Sequence, residues 1–165
     1  MMTPNELDLL KRRFKRAFGT RYGKVYYSEQ ERVLLCIVTQ PYIPIANFRR
    51  MFERMAKLVR RKSLTKFIFD KRALKSFDQP SMEWYFTTWK EEMYAIGLRT
   101  HRKILPPENW FAQAVIAGRA DILKKYPENV AFRLDIQYCS DLRDALEKPE
   151  RPPHSKEEYL SLSVL

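Results

Sequence analysis

One stretch, Lys66 to Pro106, constrains the fold more than any other part of the chain. It begins with a short apolar run, Lys66–Asp70, and continues through a helical segment from Pro80 to Gly97. The residues of this segment spaced for a buried apolar stripe are Met82, Phe86, Trp89, Met93 and Ile96. An extended segment from His101 to Leu105 follows, and Pro106 ends it. Two strands joined by a crossover helix form a βαβ unit, which is right-handed in nearly all proteins. The stretch predicts an α/β fold with residues 66–70 and 101–105 adjacent and parallel.

Further elements extend this unit in both directions. Before it, segments 24–28 and 32–39 are extended, and apolar side chains at helical spacing from Ile45 to Val59 indicate a helix. After it, residues 134–138 alternate as a strand and 141–147 form a short helix capped by Ser140. This order predicts a mixed, mostly parallel sheet of about five strands with helices packed against it. A further helix around residues 110–122 is expected to be interrupted or softened near Gly118.

The two ends of the chain are predicted to lie outside the main domain, which spans 20–148. Residues 1–19 indicate an amphipathic helix, because Thr3, Pro4 and Glu6 form a start signal and Phe18 completes an apolar stripe. Residues 149–165 read as a Pro-rich linker and a tail. The tail is either a disordered end or an edge strand added to its own or another subunit. Apolar residues at both ends lead us to expect a homodimer.

The charge of this basic chain is concentrated in one half. Residues 11–75 hold 19 Lys and Arg against 4 Asp and Glu, and the rest holds 12 against 16. Such polarity indicates either an anionic partner (an acidic protein, a membrane surface or nucleic acid) or a solvated face that keeps the protein soluble. The expected partner surface is the polar side of the 45–59 helix, namely Arg49, Arg50, Arg54, Lys57, Arg60 and Arg61.

Several functional classes lack the residues they require. The longest apolar run, Val33–Val38, is too short to span a bilayer, and no signal-peptide core is present, so we expect a cytoplasmic protein. Cys36 and Cys139 are isolated, and His101 and His154 have no neighbouring ligands, so no metal site is expected. Without a Gly-rich phosphate loop or a nucleophile–base arrangement, we expect no cofactor and no enzymatic activity.

A ligand site is most readily placed where the strands end. Open α/β sheets bind ligands beyond the carboxyl ends of their parallel strands. Asp70 and Asp78 lie there in sequence and could form a carboxylate pair, although helix capping and a salt bridge to Lys71 or Arg72 explain them with fewer assumptions. The candidate ligand-binding residues of this strand-end loop are Asp70, Lys71, Asp78, Gln79 and Ser81.

The run from Lys66 to Glu147 resembles the SpoIIAA-like branch of the STAS superfamily, which includes anti-anti-sigma factors. The matching features are the strand that ends at Asp70, Glu83-Trp84 and Trp89 on the crossover helix, Ala95-Ile96-Gly97-Leu98-Arg99, the strand to Leu105-Pro106, and the ending Tyr138-Cys139-Ser140-Asp141-Leu142-Arg143-Asp144-Ala145-Leu146. The resemblance covers about two thirds of the chain and implies a mixed sheet with helices packed against it.

The resemblance also implies a class of function. Anti-anti-sigma relatives are switched by phosphorylation of a serine at a helix start, just after a loop aspartate. Here Asp78 is followed by Gln79 and Pro80, so the nearest hydroxyl, Ser81, is better explained as a local hydrogen-bonding residue. The expected function is a non-enzymatic regulatory or protein-interaction module. The alternative is a domain that binds a small anionic or lipid-like ligand near the strand ends.

Overall fold

Six strands form a single mixed sheet in which the strand order follows the chain order, β1-β2-β3-β4-β5-β6. The computed structural model describes residues 2–161. β1, β2 and β3 pair antiparallel, and β3 to β6 pair parallel. The strands are β1 Lys15–Gly19, β2 Gly23–Ser28, β3 Val33–Val38, β4 Lys66–Asp70, β5 Thr100–Ile104 and β6 Asp135–Cys139.

Helices connect the parallel strands and flank the sheet. They are α1 Pro4–Arg13, α2 Ile45–Lys62, α3 Gln79–Trp84, α4 Lys90–Ala95, α5 Asn109–Lys125, α6 Leu142–Glu147 and α7 Lys156–Ser161. A π-helical turn, Tyr85–Trp89, joins α3 to α4 without a break, and a 3-10 turn, Val130–Arg133, precedes β6. The predicted α/β class and the parallel pairing of 66–70 with the next strand are confirmed.

The sheet has six strands rather than about five because the predicted N-terminal helix is shorter than expected. α1 ends at Arg13, and Lys15–Gly19 becomes β1, paired antiparallel with β2. The sequence there fits both a helix and a strand, since Phe14 and Phe18 are four residues apart and would lie on one face of either. Pairing with β2 supplies the ladder hydrogen bonds that decide between them. The predicted capping box of Thr3 and Glu6 is confirmed.

The helices divide between the two faces of the sheet. Three crossovers of one hand in one direction place α2, α3–α4 and α5 on the same face, where Phe52, Phe67, Trp89 and Phe111 belong to the larger apolar core. α1 and α6 cover the other face, with a smaller core that includes Leu9. The sheet is therefore buried on both sides over its parallel strands.

Three local predictions need correction. α5 runs without interruption through Gly118, where a Cβ atom would lie 2.7 Å from the side-chain oxygen of Gln79, so this glycine permits a close helix contact. The short helix α6 is capped by Asp141, whose carboxylate accepts the Asp144 N–H, and not by Ser140. Ile96 ends the predicted apolar stripe but is 39% exposed, because α4 stops one residue earlier.

The C-terminal region contains a helix where the sequence left a disordered end or an edge strand open. Lys156–Ser161 forms α7, and Tyr159 is buried in the larger core. The part of the predicted tail at 162–165 lies outside the described residues. No helix within residues 2–161 is long and apolar enough to cross a bilayer.

Candidate functional site

β5 is an unusual central strand because three consecutive members of it are polar. Central parallel strands covered on both faces are normally near-continuous apolar runs. Here His101, Arg102 and Lys103 are at most 2% exposed. Arg102 faces the α1–α6 side, where its guanidinium donates to the carboxylate of Asp135 at 2.9 Å. His101 and Lys103 point into the opposite core, where an explanation for their burial is needed.

Lys103 belongs to a group of four buried cationic side chains, which we call the buried basic cluster. Its members are Lys71, just after β4; Lys90, the first residue of α4; Lys103 on β5; and Arg119 on α5. None is more than 7% exposed. Four separate elements therefore bring positively charged groups to the same region of the larger core.

No member of the buried basic cluster forms a salt bridge with a carboxylate in the described part of the chain. Aromatic rings surround the cations instead. Lys90 Nζ lies 4.1 Å from the centroid of Phe86, and Lys103 Nζ lies 5.1 Å from the same ring. The Arg119 guanidinium lies 4.7 Å from the centroid of Tyr159 and donates a hydrogen bond to the Tyr138 hydroxyl.

Several polar atoms around the cluster have no partner within residues 2–161. They are Lys90 Nζ, which neighbours the amine of Lys103, Nη2 of Arg119, both ring nitrogens of His101 and the hydroxyls of Tyr85 and Tyr159. Buried polar atoms in proteins are nearly always hydrogen-bonded, so several unpartnered ones that lie together indicate a ligand-binding site.

A small cavity of about 50 Å³ adjoins this cluster, which is room for a few water molecules or a small anion. Lys71, Lys103 and Tyr85 contribute polar groups to its wall, and apolar side chains such as Phe69 and Phe86 complete it. Asp78, together with Ser76 and Ser81, also lines it. The cavity lies beyond the end of β4, at the edge of the sheet where α/β proteins commonly bind ligands.

Burial lowers the pKa of every lysine in the cluster. For Lys71, burial and the nearby charge of Arg119 lower the pKa to about 7. Burial lowers the pKa values of Lys90 and Lys103 well below the usual lysine value, and their neighbouring cations lower them further. His101 behaves in the same way, since burial and then the nearby lysines lower its pKa. The three lysines of the cluster therefore lose their protons at lower pH than exposed lysines do.

Keeping these groups buried costs the protein stability. One pKa unit corresponds to about 1.4 kcal/mol, so the lowering of the Lys71 pKa from 10.5 to about 7 corresponds to about 5 kcal/mol at neutral pH. A favourable, desolvated cation–π contact stabilises the folded state by about 2 kcal/mol. The aromatic rings therefore do not offset the cost, whereas an anion that pairs with the lysines would.

The predicted strand-end residues divide between this cavity and the other face of the sheet. Lys71, Asp78 and Ser81 line the cavity. Asp70 lies on the α1–α6 side, where the Arg72 guanidinium donates to it at 2.8 Å and also to Glu6 at 2.7 Å. The structure therefore does not bring Asp70 and Asp78 together, and the predicted salt bridge of Asp70 to Arg72 is present.

Asp78, Gln79 and Ser81 have local roles. Asp78 caps α3, accepting from the Ser81 N–H at 2.9 Å, the Ser81 hydroxyl at 2.8 Å and the Tyr42 hydroxyl at 2.9 Å. Gln79 donates to the carbonyl of Gly118 at 3.2 Å and so links α3 to α5. Ser81 is a local hydrogen-bonding residue, as the sequence predicted.

Sequence reasoning missed Lys90, Lys103 and Arg119. Periodicity treats a lysine beside an apolar stripe as solvated, and these three residues are far apart along the chain. One signal was available: Thr100-His101-Arg102-Lys103 lies where a buried parallel strand is expected to be apolar. Polar residues in such a strand are a local contradiction of the kind that marks functional sites.

The predicted basic partner surface of α2 is exposed in the structure. Its members Arg49, Arg50, Arg54, Lys57, Arg60 and Arg61 all lie at the surface. Arg54 covers the Phe18 ring on β1 at 3.9 Å, and Arg49 lies 5.5 Å from the ring centroid of Trp84. These rings are partly covered by the arginines, and an anionic partner for this surface stays a prediction.

No group of three or more His, Cys, Asp or Glu side chains that could hold a metal ion occurs within residues 2–161. Cys36 is fully buried, and burial raises the pKa of its thiol, as expected for an inert cysteine. Comparisons of the chain with protein-family models, curated proteins and solved structures found no match.

Proposed function

We propose that the protein binds a small anion, or the anionic group of a small molecule, in the cavity beside the buried basic cluster. The observation that carries the proposal is the burial of Lys71, Lys90, Lys103 and Arg119 without a carboxylate partner in the described chain. Two of these residues, Lys71 and Lys103, line the cavity directly. The ligand-binding alternative raised by the sequence is thus the one that the geometry favours.

The main competing explanation is that the lysines are neutral packing groups held by aromatic rings. Such an arrangement would have to tolerate orphaned donors on Lys90 and Arg119 and the cost of deprotonation. A methionine or leucine would fill the same space without that cost. The cavity beside the lysines, rather than a close-packed contact, is what favours a ligand.

Anion binding should be coupled to protonation. A negative charge placed beside Lys71 and Lys103 favours their charged forms, so binding raises their pKa values and takes up protons. Affinity should therefore fall as the pH rises through about 7, where unliganded Lys71 loses its proton. The groups that face these lysines are Lys90, Arg119, His101, the phenols of Tyr85, Tyr138 and Tyr159, and Asp78 at the rim.

Titration calorimetry with inorganic phosphate tests this function. We expect phosphate to bind wild-type protein near pH 6.5, with proton uptake revealed by heats that change with the ionisation enthalpy of the buffer. Replacing Lys103 by methionine, which keeps the length and removes the charge, should weaken binding about tenfold or more, because a hydrogen bond to a charged group contributes about 1.5–3 kcal/mol.

Lys57→Met on α2 is the matched control, since Lys57 is exposed and does not line the cavity. It should bind phosphate as wild type does. Equal weakening by both substitutions would show that phosphate binds the basic surface and would contradict the proposal. Absence of phosphate and sulfate binding to the folded wild-type protein would contradict it as well.

The regulatory or protein-interaction module implied by the STAS resemblance stays a prediction, as does the homodimer. A bound small anion is compatible with such a role, because ligand binding in the core changes the stability of the elements that supply the cluster. Measuring the mass of the protein in solution with and without phosphate would show whether anion binding is linked to dimer formation.

A further inference from the structure

Lys71 lines the cavity and is the most exposed lysine of the buried basic cluster. It follows β4, where its backbone N–H donates to the carbonyl of Ile104 at 2.8 Å. It is 7% exposed, whereas Lys90 and Lys103 are 0% and 2% exposed. Its amine forms no salt bridge within residues 2–161 and lies 5.4 Å from the ring centroid of Phe69. A ligand that enters the cavity meets this amine without displacing a protein partner.

The chemical state of Lys71 suits reaction with a carbonyl group. Burial, with the nearby Arg119 charge, lowers its pKa to about 7, so a large share of the side chain is a neutral amine at neutral pH. A neutral lysine in an apolar site beside another cation is an effective nucleophile toward carbonyl carbon. Exposed lysines are almost entirely protonated at the same pH and react slowly.

Two neighbouring groups supply what such a reaction needs. Lys103 lines the same cavity, and a ligand carboxylate beside it favours its charged form, so Lys103 takes up a proton and pairs with the carboxylate adjoining the reactive carbonyl. Tyr85 also lines the cavity, and its hydroxyl has no hydrogen-bond partner in the described residues. Burial raises the pKa of Tyr85, so this phenol stays protonated at neutral pH and can donate to a carbonyl oxygen.

We propose that Lys71 forms an imine with a short 2-oxo acid whose carboxylate pairs with Lys103. The proposal rests on the anion-binding function proposed above and names its ligand class. The small cavity of about 50 Å³ favours an acid with a short carbon chain.

The step is balanced without a further reactant. The nitrogen lone pair of Lys71 attacks the carbonyl carbon, a C–N bond forms, and the carbonyl oxygen is protonated to give a carbinolamine as the nitrogen loses a proton. The nitrogen lone pair then forms the C=N bond while the C–O bond breaks, and the hydroxyl leaves as water with the second proton of the nitrogen, which gives the neutral imine. No atom is oxidised or reduced.

Reductive trapping of wild-type protein with pyruvate and cyanoborohydride tests the proposal. The reagent reduces an imine to a stable secondary amine, which peptide mapping by mass spectrometry locates. We expect the adduct on the Lys71 peptide in clear excess over the peptides of the exposed residues Lys57 and Lys75, which serve as internal controls. Inorganic phosphate should suppress the Lys71 adduct by occupying the same cavity.

Two further measurements separate this proposal from the anion site on which it rests. Lys71→Arg cannot form an imine at position 71, so its total adduct should fall to the level of the exposed lysines. Lactate, which has a hydroxyl in place of the carbonyl, should compete with phosphate without forming an adduct.

An adduct spread evenly over the exposed lysines, or found on Lys103 instead of Lys71, would overturn the imine. Binding of phosphate and lactate with no pyruvate adduct at Lys71 would overturn the imine and leave the anion site intact. Loss of phosphate and lactate binding altogether would overturn both. The peptide map of wild-type protein decides the imine even where Lys71→Arg does not fold.

Discussion

Asp78 places a carboxylate at a cavity whose other charged wall residues are lysines. It caps α3 and accepts hydrogen bonds from Ser81 and Tyr42, so its position is explained by local structure. Its negative charge nevertheless opposes the entry of an anion. The carboxylate of Asp78 therefore stabilises α3 as a cap but weakens the binding of an anion in the cavity.

Asp78→Asn should separate these two effects. Asparagine caps helices about as well as aspartate, so the free energy of unfolding should change little. Removing the negative charge should tighten phosphate binding about twofold or more, since a unit charge several ångströms away contributes about 0.5 kcal/mol even in a water-like medium. Phosphate titration together with a denaturation midpoint measures both effects. Weaker binding in this variant would show that Asp78 helps to hold the ligand.

At the scale of elements, Glu6 joins three parts of the fold that are remote in sequence. Its carboxylate lies on α1, accepts from the Arg72 guanidinium after β4 at 2.7 Å, and accepts from the Leu142 N–H at the start of α6 at 2.9 Å. Burial alone would raise the pKa of Glu6, but the hydrogen bonds from Arg72, Thr3 and Leu142 outweigh it and lower the pKa to about 2.

This lowered pKa predicts how acid affects stability. A carboxyl whose pKa is lower in the folded state stabilises the fold above its unfolded pKa, about 4.5, and loses that contribution as the pH falls to about 2. Glu6→Gln should cost about 2–3 kcal/mol at neutral pH, less than a fully broken buried pair because Asp70 still holds Arg72. It should also flatten the acid limb of the stability curve.

Urea denaturation at several pH values between about 2 and 6 measures both effects. Glu53→Gln is the matched control, because Glu53 is exposed on α2 and should change neither the midpoint nor the acid limb. An acid limb as steep in Glu6→Gln as in wild type would assign the pH dependence to other carboxyls.

The sequence predicted elements well where one periodicity dominates. β4 was placed with its observed bounds, and the buried residues Met82, Phe86, Trp89 and Met93 of the 79–95 helix match the predicted stripe. β1 was missed because Phe14 and Phe18 also suit a helix, and only its pairing with β2 distinguishes the two. Local pattern is informative where no partner is needed to choose between structures.

The candidate site was predicted only in part, for a related reason. Lys71, Asp78 and Ser81 were placed near the strand ends because a general rule for α/β sheets points there. The π-helical turn 85–89 comes directly before Lys90 in the same helix. Tyr85 in this turn and Lys90 after it are both buried, although both lie outside the predicted stripe. Lys103 and Arg119 join them only once the crossovers are folded, which no pattern in a single sequence reveals.

At the scale of the whole molecule, the buried lysines should make stability depend on pH in the alkaline range, in contrast to Glu6, which acts in the acid range. A lysine whose pKa is lowered in the folded state binds its proton more tightly when unfolded. Stability therefore rises with pH between the folded pKa, about 7 for Lys71, and the unfolded value near 10.5, and the full penalty remains below the folded pKa.

Lys71→Met should consequently be more stable than wild type near pH 7 and should show a flatter rise toward about pH 10, since the methionine has no proton to lose. Denaturation midpoints measured without phosphate at several pH values test this. Lys57→Met controls for the change in overall net charge and should keep the wild-type slope. A wild-type stability that falls steadily from about pH 7 to 10 would contradict the lowered pKa.

The sequential strand order bears on how the protein is made. The ribosome releases the chain from its amino end, and folding can begin during synthesis. Here each new strand finds the preceding strand as its neighbour, so the sheet can be extended by one strand at a time without inserting between strands already paired. The four cations enter the core in the same sequence, and the last of them, Arg119, arrives with α5. A nascent chain that ends before residue 109 therefore has five strands available but lacks the guanidinium that completes the basic cluster.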